Sequence, residues 1–296
     1  MGHGTIDFDA VVESVPKKEI ESDQGNISVL ITTYFGESPA NLDEALRSIY
    51  KQSLRPREVV LVVDGPIPKG QEEVIIRYQD QKDITLHVIR LPKNVGRGAA
   101  KNVGIERCCY EFIAVMDSDD ISVPQRLEKQ FNLFQLHPEY DVIAGWQLEF
   151  DDETKKETLV KRCPKLHVDI VRALKWRNVV PNPAVMIRRE NAVKVGGYGD
   201  FKTINEDYDL FLKLIEAGAR FHNIQEILIR VRTSREQRKR RGGWNVIKDD
   251  FKFRYRHYQN GFYGFWEVLL ISAIYFVFRL MPANFKDILY RISRSI

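Results

Sequence analysis

An α/β fold with a mostly parallel central sheet is predicted from three features of the chain. Apolar runs recur at Ile27-Ser28-Val29-Leu30-Ile31, Glu58-Val59-Val60-Leu61-Val62-Val63 and Phe112-Ile113-Ala114-Val115-Met116. Stretches with apolar residues at helical spacing lie between them. The runs themselves are nearly continuous, as strands buried on both faces are. Strands that alternate with helices imply a parallel sheet covered by helices on both sides.

Each element has its own local reason. Order begins at Ile27, after an acidic and weakly patterned arm. Ser38-Pro39 reads as a helix N-cap with Pro at the first helical position, and Leu42, Ala45, Leu46 and Ile49 continue that helix. The second strand ends at Asp64-Gly65. A helix over 70–80 leads to a strand at Thr85–Leu91, and a Gly-containing turn and helix over Asn94–Arg107 deliver the third apolar run. Further on, the pattern predicts a helix at 124–136, a strand at Asp141–Trp146, a polar stretch at 151–162, a helix at 168–176 and a strand at Pro183–Ile187. Residues 206–217 form a strong helix, with Leu210, Phe211, Leu214 and Ile215 on one face and Gly218 closing it.

With 296 residues, 44% hydrophobic and 29% charged, the chain has the composition of an ordinary globular protein. Cys108, Cys109 and Cys163 show no zinc or redox spacing, so buried free thiols in a reducing compartment are expected. Met1–Asp9 lacks the pattern of a secretion signal, and Ile6 stands where a myristoylation signal wants Ser or Thr. The net charge of +4 is unevenly spread: Arg232–Arg241 holds six Arg or Lys residues and one Glu, and Lys248, Lys252, Arg254 and Arg256 follow. Such a stretch suits phosphates, an anionic membrane or nucleic acid, although for one basic run alone a solvated face is the preferred reading.

From Trp266 the chain becomes strongly apolar. Val268–Phe278 is hydrophobic all round but shorter than the ~20 residues a simple span needs, and Pro282 breaks it. Phe285, Ile288, Leu289, Ile292 and Ile296 then form an apolar stripe on a basic helix. Insertion into one leaflet is one reading of this tail, and docking on the chain's own core is the other.

The chemistry is expected where strands give out. The third apolar run enters Asp117-Ser118-Asp119-Asp120, three carboxylates that are costly to hold together without a cation. Strand pleating would aim Asp117 and Asp119 to one side, where they can hold Mn²⁺ or Mg²⁺ together with the diphosphate of a nucleotide. An Asx-rich turn before the next helix is the alternative. Asp64 has the same topological address, where ligands of open α/β sheets bind, and can accept from a base or a ribose. Tyr34 can stack on a base. Glu206 and Asp207 open the strong helix, either as a capping box with Thr203 or as the source of a general base.

Taken in order, short motifs resemble those of the family 2 glycosyltransferases, inverting enzymes of the GT-A fold. They are Ile31-Thr32-Thr33-Tyr34, Leu42-x-x-Ala45-Leu46-x-Ser48-Ile49-x-x-Gln52-Ser53, Val62-Val63-Asp64-Gly65 and Asn94-x-Gly96-x-x-x-x-Lys101-Asn102-x-Gly104. Ala114–Asp120, Arg126-Leu127-Glu128-Lys129-Gln130, Gly196-Gly197-Tyr198 and Glu206-Asp207 complete the series, which covers roughly residues 27–231. The resemblance implies that Thr33, Tyr34 and Asp64 hold the nucleoside, and that Asn94, Gly96, Lys101, Asp117 and Ser118 belong to the nucleotide-sugar site. It implies further that Asp117 and Asp119 bind Mn²⁺ or Mg²⁺, that Asp207 is the catalytic base and that Glu206 assists it. Lys101 replaces the Arg common in the family, which keeps the charge but not the bidentate geometry. Gln237 and Arg240 retain half of the Gln-x-x-Arg-Trp motif of processive relatives, with Trp244 displaced, so transfer of a single sugar is expected.

The implied organisation is an arm (1–26), a nucleotide-sugar-binding half (27–120), an acceptor-binding and catalytic half (121–231) and a basic, amphipathic carboxyl-terminal segment (232–296). The expected donor is a UDP-sugar, with galactose and N-acetylhexosamines foremost. The expected acceptor is a saccharide on undecaprenyl diphosphate, as in bacterial O-antigen, capsule or exopolysaccharide assembly. The protein is then expected in the cytoplasm, peripheral on the inner face of an anionic membrane, with no nucleic-acid partner. A nucleotidyltransferase and a non-catalytic scaffold are the alternatives. The first usually carries a Gly-rich, basic loop where this chain has Thr33-Tyr34-Phe35-Gly36, and the second gains nothing from the acidic cluster.

Overall fold

The computed structural model describes residues 24–201, 205–233 and 244–280. The arm up to residue 23, Thr203, most of the basic run and the stripe at 285–296 lie outside the described residues.

In the first half the order is β1 (Gln24–Tyr34), α1 (Pro39–Tyr50), β2 (Arg55–Asp64), α2 (Lys69–Gln79), β3 (Thr85–Arg90), α3 (Arg97–Arg107) and β4 (Phe112–Asp117). These four strands pair in parallel in the order β3-β2-β1-β4. Because successive side chains leave a strand on opposite faces, β1 feeds two cores. Ile27, Val29 and Ile31 pack with Leu42, Leu46 and Ile49 of α1 and with Val74 and Ile75 of α2. Leu30 packs on the opposite face with Ala100 and Ile105 of α3. Helices on both faces follow from continuously apolar strands.

The second half is mixed. After β5 (Ile121–Ser122) and α4 (Arg126–Leu136) come β6 (Val142–Asp151), β7 (Glu157–Lys161), α5 (His167–Leu174), β8 (Met186–Arg188), α6 (Arg189–Lys194), α7 (Glu206–Glu216) and β9 (Phe221–Thr233). The sheet continues β4-β8-β6-β9-β5, with β7 beside β6. Short β8 runs antiparallel to both β4 and β6, and β6 and β9 are parallel. The expected strand at 183–187 is therefore a 3₁₀ turn, Asn182–Ala184, followed by three residues of strand. The polar stretch at 151–162 contains β7.

Arg126 and Gln130 of α4 hold this junction. The Arg126 guanidinium is fully buried and donates to Val115 O at 2.8 Å and to Val185 O at 3.2 Å. Gln130 Nε2 donates to Ile143 O and Ala184 O at 2.7 and 2.9 Å. These bonds satisfy carbonyls around the short β8, at the seam where the parallel half meets the mixed half.

Two carboxyl-terminal helices, α8 (Trp244–Gln259) and α9 (Phe265–Leu280), complete the described chain. Phe253, Val268 and Ile271 join the core that holds α7. Among the described residues no helix is long and apolar enough to cross a membrane. The cysteines depart in part from expectation: Cys108 and Cys163 are buried, but Cys109 is exposed.

Candidate active site

Three parallel strands end side by side at one edge of the sheet. Tyr34 is the register partner of Asp64, and Thr32 is the register partner of Asp117. This edge lies outside the carboxyl ends of the strands, and the strand order turns there between β2 and β4 on either side of β1.

At the end of β2, the Asp64 carboxylate accepts from Val95 N at 2.7 Å and from Gly96 N at 3.1 Å, while Asn94 Nδ2 donates to Asp64 O at 3.2 Å. Asp64 thus shapes the loop that opens α3 while itself buried at the strand end. Gly65 allows the approach: its φ is +89°, and a Cβ there would sit 2.7 Å from Asn94 N. Thr33 precedes Tyr34 at the end of β1. Its side chain is buried and donates its hydroxyl to Gln71 Oε1 at 3.0 Å, while Gln71 Nε2 donates to Tyr34 O and Glu37 O. This side chain ties α2 to the sheet, its hydroxyl proton committed to Gln71. Tyr34 is half-buried, edge-on to exposed Phe35.

Pleating does not align the two aspartates, because β4 stops at Asp117. Ser118 and Asp119 form a turn in which Asp120 N donates to Asp117 O at 3.4 Å. The buried Lys101 ammonium donates to Asp117 Oδ1 at 2.8 Å and lies 5.5 Å from the centre of the Tyr198 ring. Burial would raise the Asp117 pKa, but Lys101, with Arg97 and Arg126 behind it, brings it below the ordinary carboxylate value. Asp119 goes the other way. Burial first, then the charges of Asp117 and Glu37, push it up to about 7. Ser118 Oγ donates to Glu37 Oε2 at 3.4 Å.

Asp120 belongs to the structure beneath. It is buried, its pKa is raised by burial and by its acidic neighbours, and it accepts from Arg232 N at 3.0 Å. The Arg232 guanidinium is also buried and bonds Asp119 O, Asp152 and Glu44. The first residue of the basic run therefore braces the acidic turn and is not left to close over a phosphate.

The helix-borne acids come from the mixed half. Asn205, at φ 74°, is the N-cap of α7, so Glu206 is its first residue and not the third-position acid of a capping box. Buried Glu206 pairs with Arg97 at 2.9 Å, and burial together with the Asp207 charge raises its pKa against that pairing. Asp207 Oδ2 accepts from Asn178 Nδ2 at 3.1 Å, and Asn178 Oδ1 accepts from Val180 N at 3.1 Å. The amide is thereby fixed from both ends, and it orients the Asp207 carboxylate. Arg97, one helical turn before Lys101 on α3, stands between the two groups of acids: burial works against its charge, but Glu206, Asp117 and Asp207 together raise its pKa. Tyr198 is locked between them by a reciprocal pair with Asn102, at 2.7 Å to Oδ1 and 3.0 Å from Nδ2. Gly197, at φ +65°, permits this, since a Cβ would meet Asn102 Oδ1 at 2.2 Å. The structure thus brings Asp64, Asn94, Gly96, Lys101, Asp117 and Asp119 to one edge, with Glu206 and Asp207 reached through Arg97. Arg97, Asn178, Glu37 and Gln71 were not singled out from sequence. Arg97 and Gln71 sit at unassigned positions near recognised motifs, and Asn178 lies in a loop with no local signal.

The family model for glycosyl transferase family 2 matches residues 28–196 of this chain. The amylovoran biosynthesis glycosyltransferase AmsE of Erwinia amylovora is 33% identical over 275 residues, which is 90% of this chain and 99% of AmsE. The chain belongs to glycosyltransferase family 2. This family 2 glycosyltransferase is also 32% identical to the UDP-Gal:alpha-D-GlcNAc-diphosphoundecaprenol beta-1,3-galactosyltransferase of Escherichia coli, over 92% of this chain and 98% of that one. Membership decides against the nucleotidyltransferase and the scaffold. Two solved structures share the fold. S. aureus TarS 1-349 in complex with UDP-GlcNAc superposes with a TM-score of 0.61 at 18% identity, over 77% of this chain and 65% of TarS. The mannosyltransferase PcManGT of Pyrobaculum calidifontis, in complex with GDP-Man and Mn²⁺, has a TM-score of 0.58 at 18% identity, over 80% of this chain and 65% of PcManGT.

Among the described residues, no group of three or more His, Cys, Asp or Glu side chains is arranged to hold a metal ion. The donor set present is smaller and suits a shared shell: Asp117 with one oxygen on Lys101, and Asp119, whose pKa is raised by burial and then by neighbouring negative charge. A divalent cation would relieve that repulsion, with ligand oxygens completing the coordination.

Proposed function

We propose that this glycosyltransferase moves one sugar, with inversion, from a UDP-sugar to a hydroxyl of a lipid-linked saccharide in bacterial surface polysaccharide assembly. One observation carries the reading most: Arg97 and Lys101, one turn apart on α3, reach the helix acid Glu206 at 2.9 Å and the strand-end acid Asp117 at 2.8 Å. A donor diphosphate at the sheet edge would then present its sugar toward α7. Asp64 and the Asn94–Gly96 backbone would hold the nucleoside, with Tyr34 against the base. Lys101 and Arg97 would face the diphosphate.

Asp117 and Asp119 would hold Mn²⁺ or Mg²⁺, which when bound offsets the charge that builds on the departing nucleoside diphosphate. Asp207 takes the proton of the acceptor hydroxyl as that oxygen bonds to the anomeric carbon and the bond to the diphosphate breaks. Asn178 keeps the carboxylate aimed at that proton, and Glu206, drawn to Arg97, places the acceptor. The E. coli relative's name supports galactose as the sugar and a diphosphoundecaprenol-linked acceptor. Such an acceptor places the protein on the cytoplasmic face of a membrane.

Calorimetric titration of UDP with and without manganese tests the donor site. UDP affinity should depend on the metal in the wild type and lose that dependence in Asp119→Ala. Equal affinity with manganese and with chelator would remove the metal from the account. A panel of nucleotide sugars, read by UDP or GDP release, would then identify the donor.

A further inference from the structure

The carboxyl-terminal helices carry an exposed aromatic strip that the transfer chemistry does not use. Phe251, Tyr255 and Tyr258 recur along one face of α8, and Phe265 and Trp266 open α9. Their rings form a continuous ladder. Centroids lie 6.3 Å apart for Phe251–Tyr255, 6.4 Å for Tyr255–Tyr258, 6.3 Å for Tyr258–Phe265 and 5.2 Å for Phe265–Trp266. Trp266 is 77% exposed and Phe251 56%. Leu269, Leu270 and Ile274 extend the face along α9, and a groove of about 270 Å³ runs between Phe251 and Phe276. An exposed apolar surface of this kind marks a docking site.

The rear of α8 is built differently. Buried His257 bonds Asp209 and Glu216 of α7 at 3.2 and 2.6 Å and Arg256 pairs with Asp209 at 2.9 Å, while buried Arg254 pairs within α8, with Asp250 at 3.1 Å. One side of α8 is thus bolted by charge to the helix that bears Asp207, while the other side is a strip of rings.

We infer that the α8–α9 aromatic strip is a membrane-docking face, seated in the headgroup region of an anionic leaflet. Three features select this occupant. Tyr and Trp combine an apolar body with a polar edge, which suits the boundary between acyl chains and headgroups. Exposed Lys248, one turn before Phe251 and two before Tyr255, shares their helical face and adds charge complementarity, whereas Lys252 turns to Asp200 at 3.0 Å and to the Phe201 ring. Finally, docking there holds α7 at a fixed height above the bilayer, where a lipid-linked acceptor is presented. This last point rests on the proposed reaction, whereas the surface itself does not.

The full chain should sediment with phosphatidylglycerol vesicles and far less with phosphatidylcholine vesicles. Tyr255→Glu combined with Leu270→Glu should weaken sedimentation at least ~10-fold while melting as the wild type does, and Trp266→Ala alone should weaken it severalfold. Undiminished vesicle binding by the double variant would assign docking elsewhere, such as the residues after 280, and overturn the inference. A wild-type dimer converted to monomer by the same variant would assign the strip to a second copy of the chain and overturn it equally. UDP release with a soluble acceptor, measured in parallel, should be unchanged. Failure of that assay in the wild type counts against the proposed reaction and leaves the vesicle result standing.

Discussion

The two halves of the sheet bring their acids to the same edge by different routes. In the parallel half, each site residue sits at the end of its own strand or at the start of the next helix, and nearest-neighbour βα units place it. Asp64 and Asp117 need only β2 and β4 to be where they are. In the mixed half, Asp207 is set by a residue 29 positions earlier, Asn178, and its helix is clamped by α8, which follows 41 to 48 positions later through Glu216, Asp209 and His257. Even the acidic turn of the first half is braced from the second, by Arg232 at a separation of 112 residues to Asp120. In the proposed reading, donor binding therefore rests mainly on local βα geometry, whereas acceptor activation rests on long-range contacts.

Perturbing each half in turn should separate these two properties. The largest effect belongs to Asp207→Asn, which should cut transfer at least ~100-fold while leaving metal-dependent UDP affinity nearly intact. Substantial residual turnover would move the base elsewhere and break the division of labour. Asn178→Ala removes one hydrogen bond to a charged carboxylate and should lower kcat roughly tenfold without changing UDP affinity. A loss confined to UDP affinity would place Asn178 in the wrong half. In the parallel half, Gly65→Ala forces a side chain onto a φ of +89° against the Asn94 backbone. It should cost about 1–3 kcal/mol locally and weaken UDP binding more than it lowers turnover of bound donor.

The smallest effect concerns the α8 clamp. The acceptors Asp209 and Glu216 raise the His257 pKa above its ordinary 6.5 despite burial. A raised pKa means the protonated form is favoured on folding, so this stabilisation is complete below about pH 6.5 and is lost as pH climbs through the folded-state value. The Tm advantage of wild type over His257→Gln should therefore shrink as pH rises above 6.5. A constant difference would show that His257 acts by packing alone.

The same contrast governs what could be read in advance. The apolar runs of β1, β2 and β4 and the acids at their ends were legible because burial on both faces leaves an unbroken hydrophobic signature. The α7 helix was legible from its own periodicity. β9 was not, because polar and charged residues such as Asn223, Gln225, Glu226, Arg230 and Arg232 interrupt its thirteen residues and find most of their partners far along the chain. α8 was obscured for a related reason. Arg254, Arg256 and His257 look like a solvated or phosphate-seeking face, yet they are matched to Asp250, Asp209, Asp200 and Glu216. Pleating misled at Asp119, because the strand ends at Asp117 and a turn sets the second carboxylate. The site residues Asn178 and Arg97 carry no local signature and become visible only once α3 and α7 are brought together.

The most direct test is a crystal structure of the Asp207→Asn variant with UDP-galactose and manganese. The uridine should lie against Asp64, the diphosphate beside Lys101 and Asp117, and the anomeric carbon should face the substituted amide at position 207 across a gap that admits one acceptor hydroxyl. A sugar ring turned away from the start of α7, with that side chain out of reach of the gap, would contradict the union of the two halves at one reacting carbon.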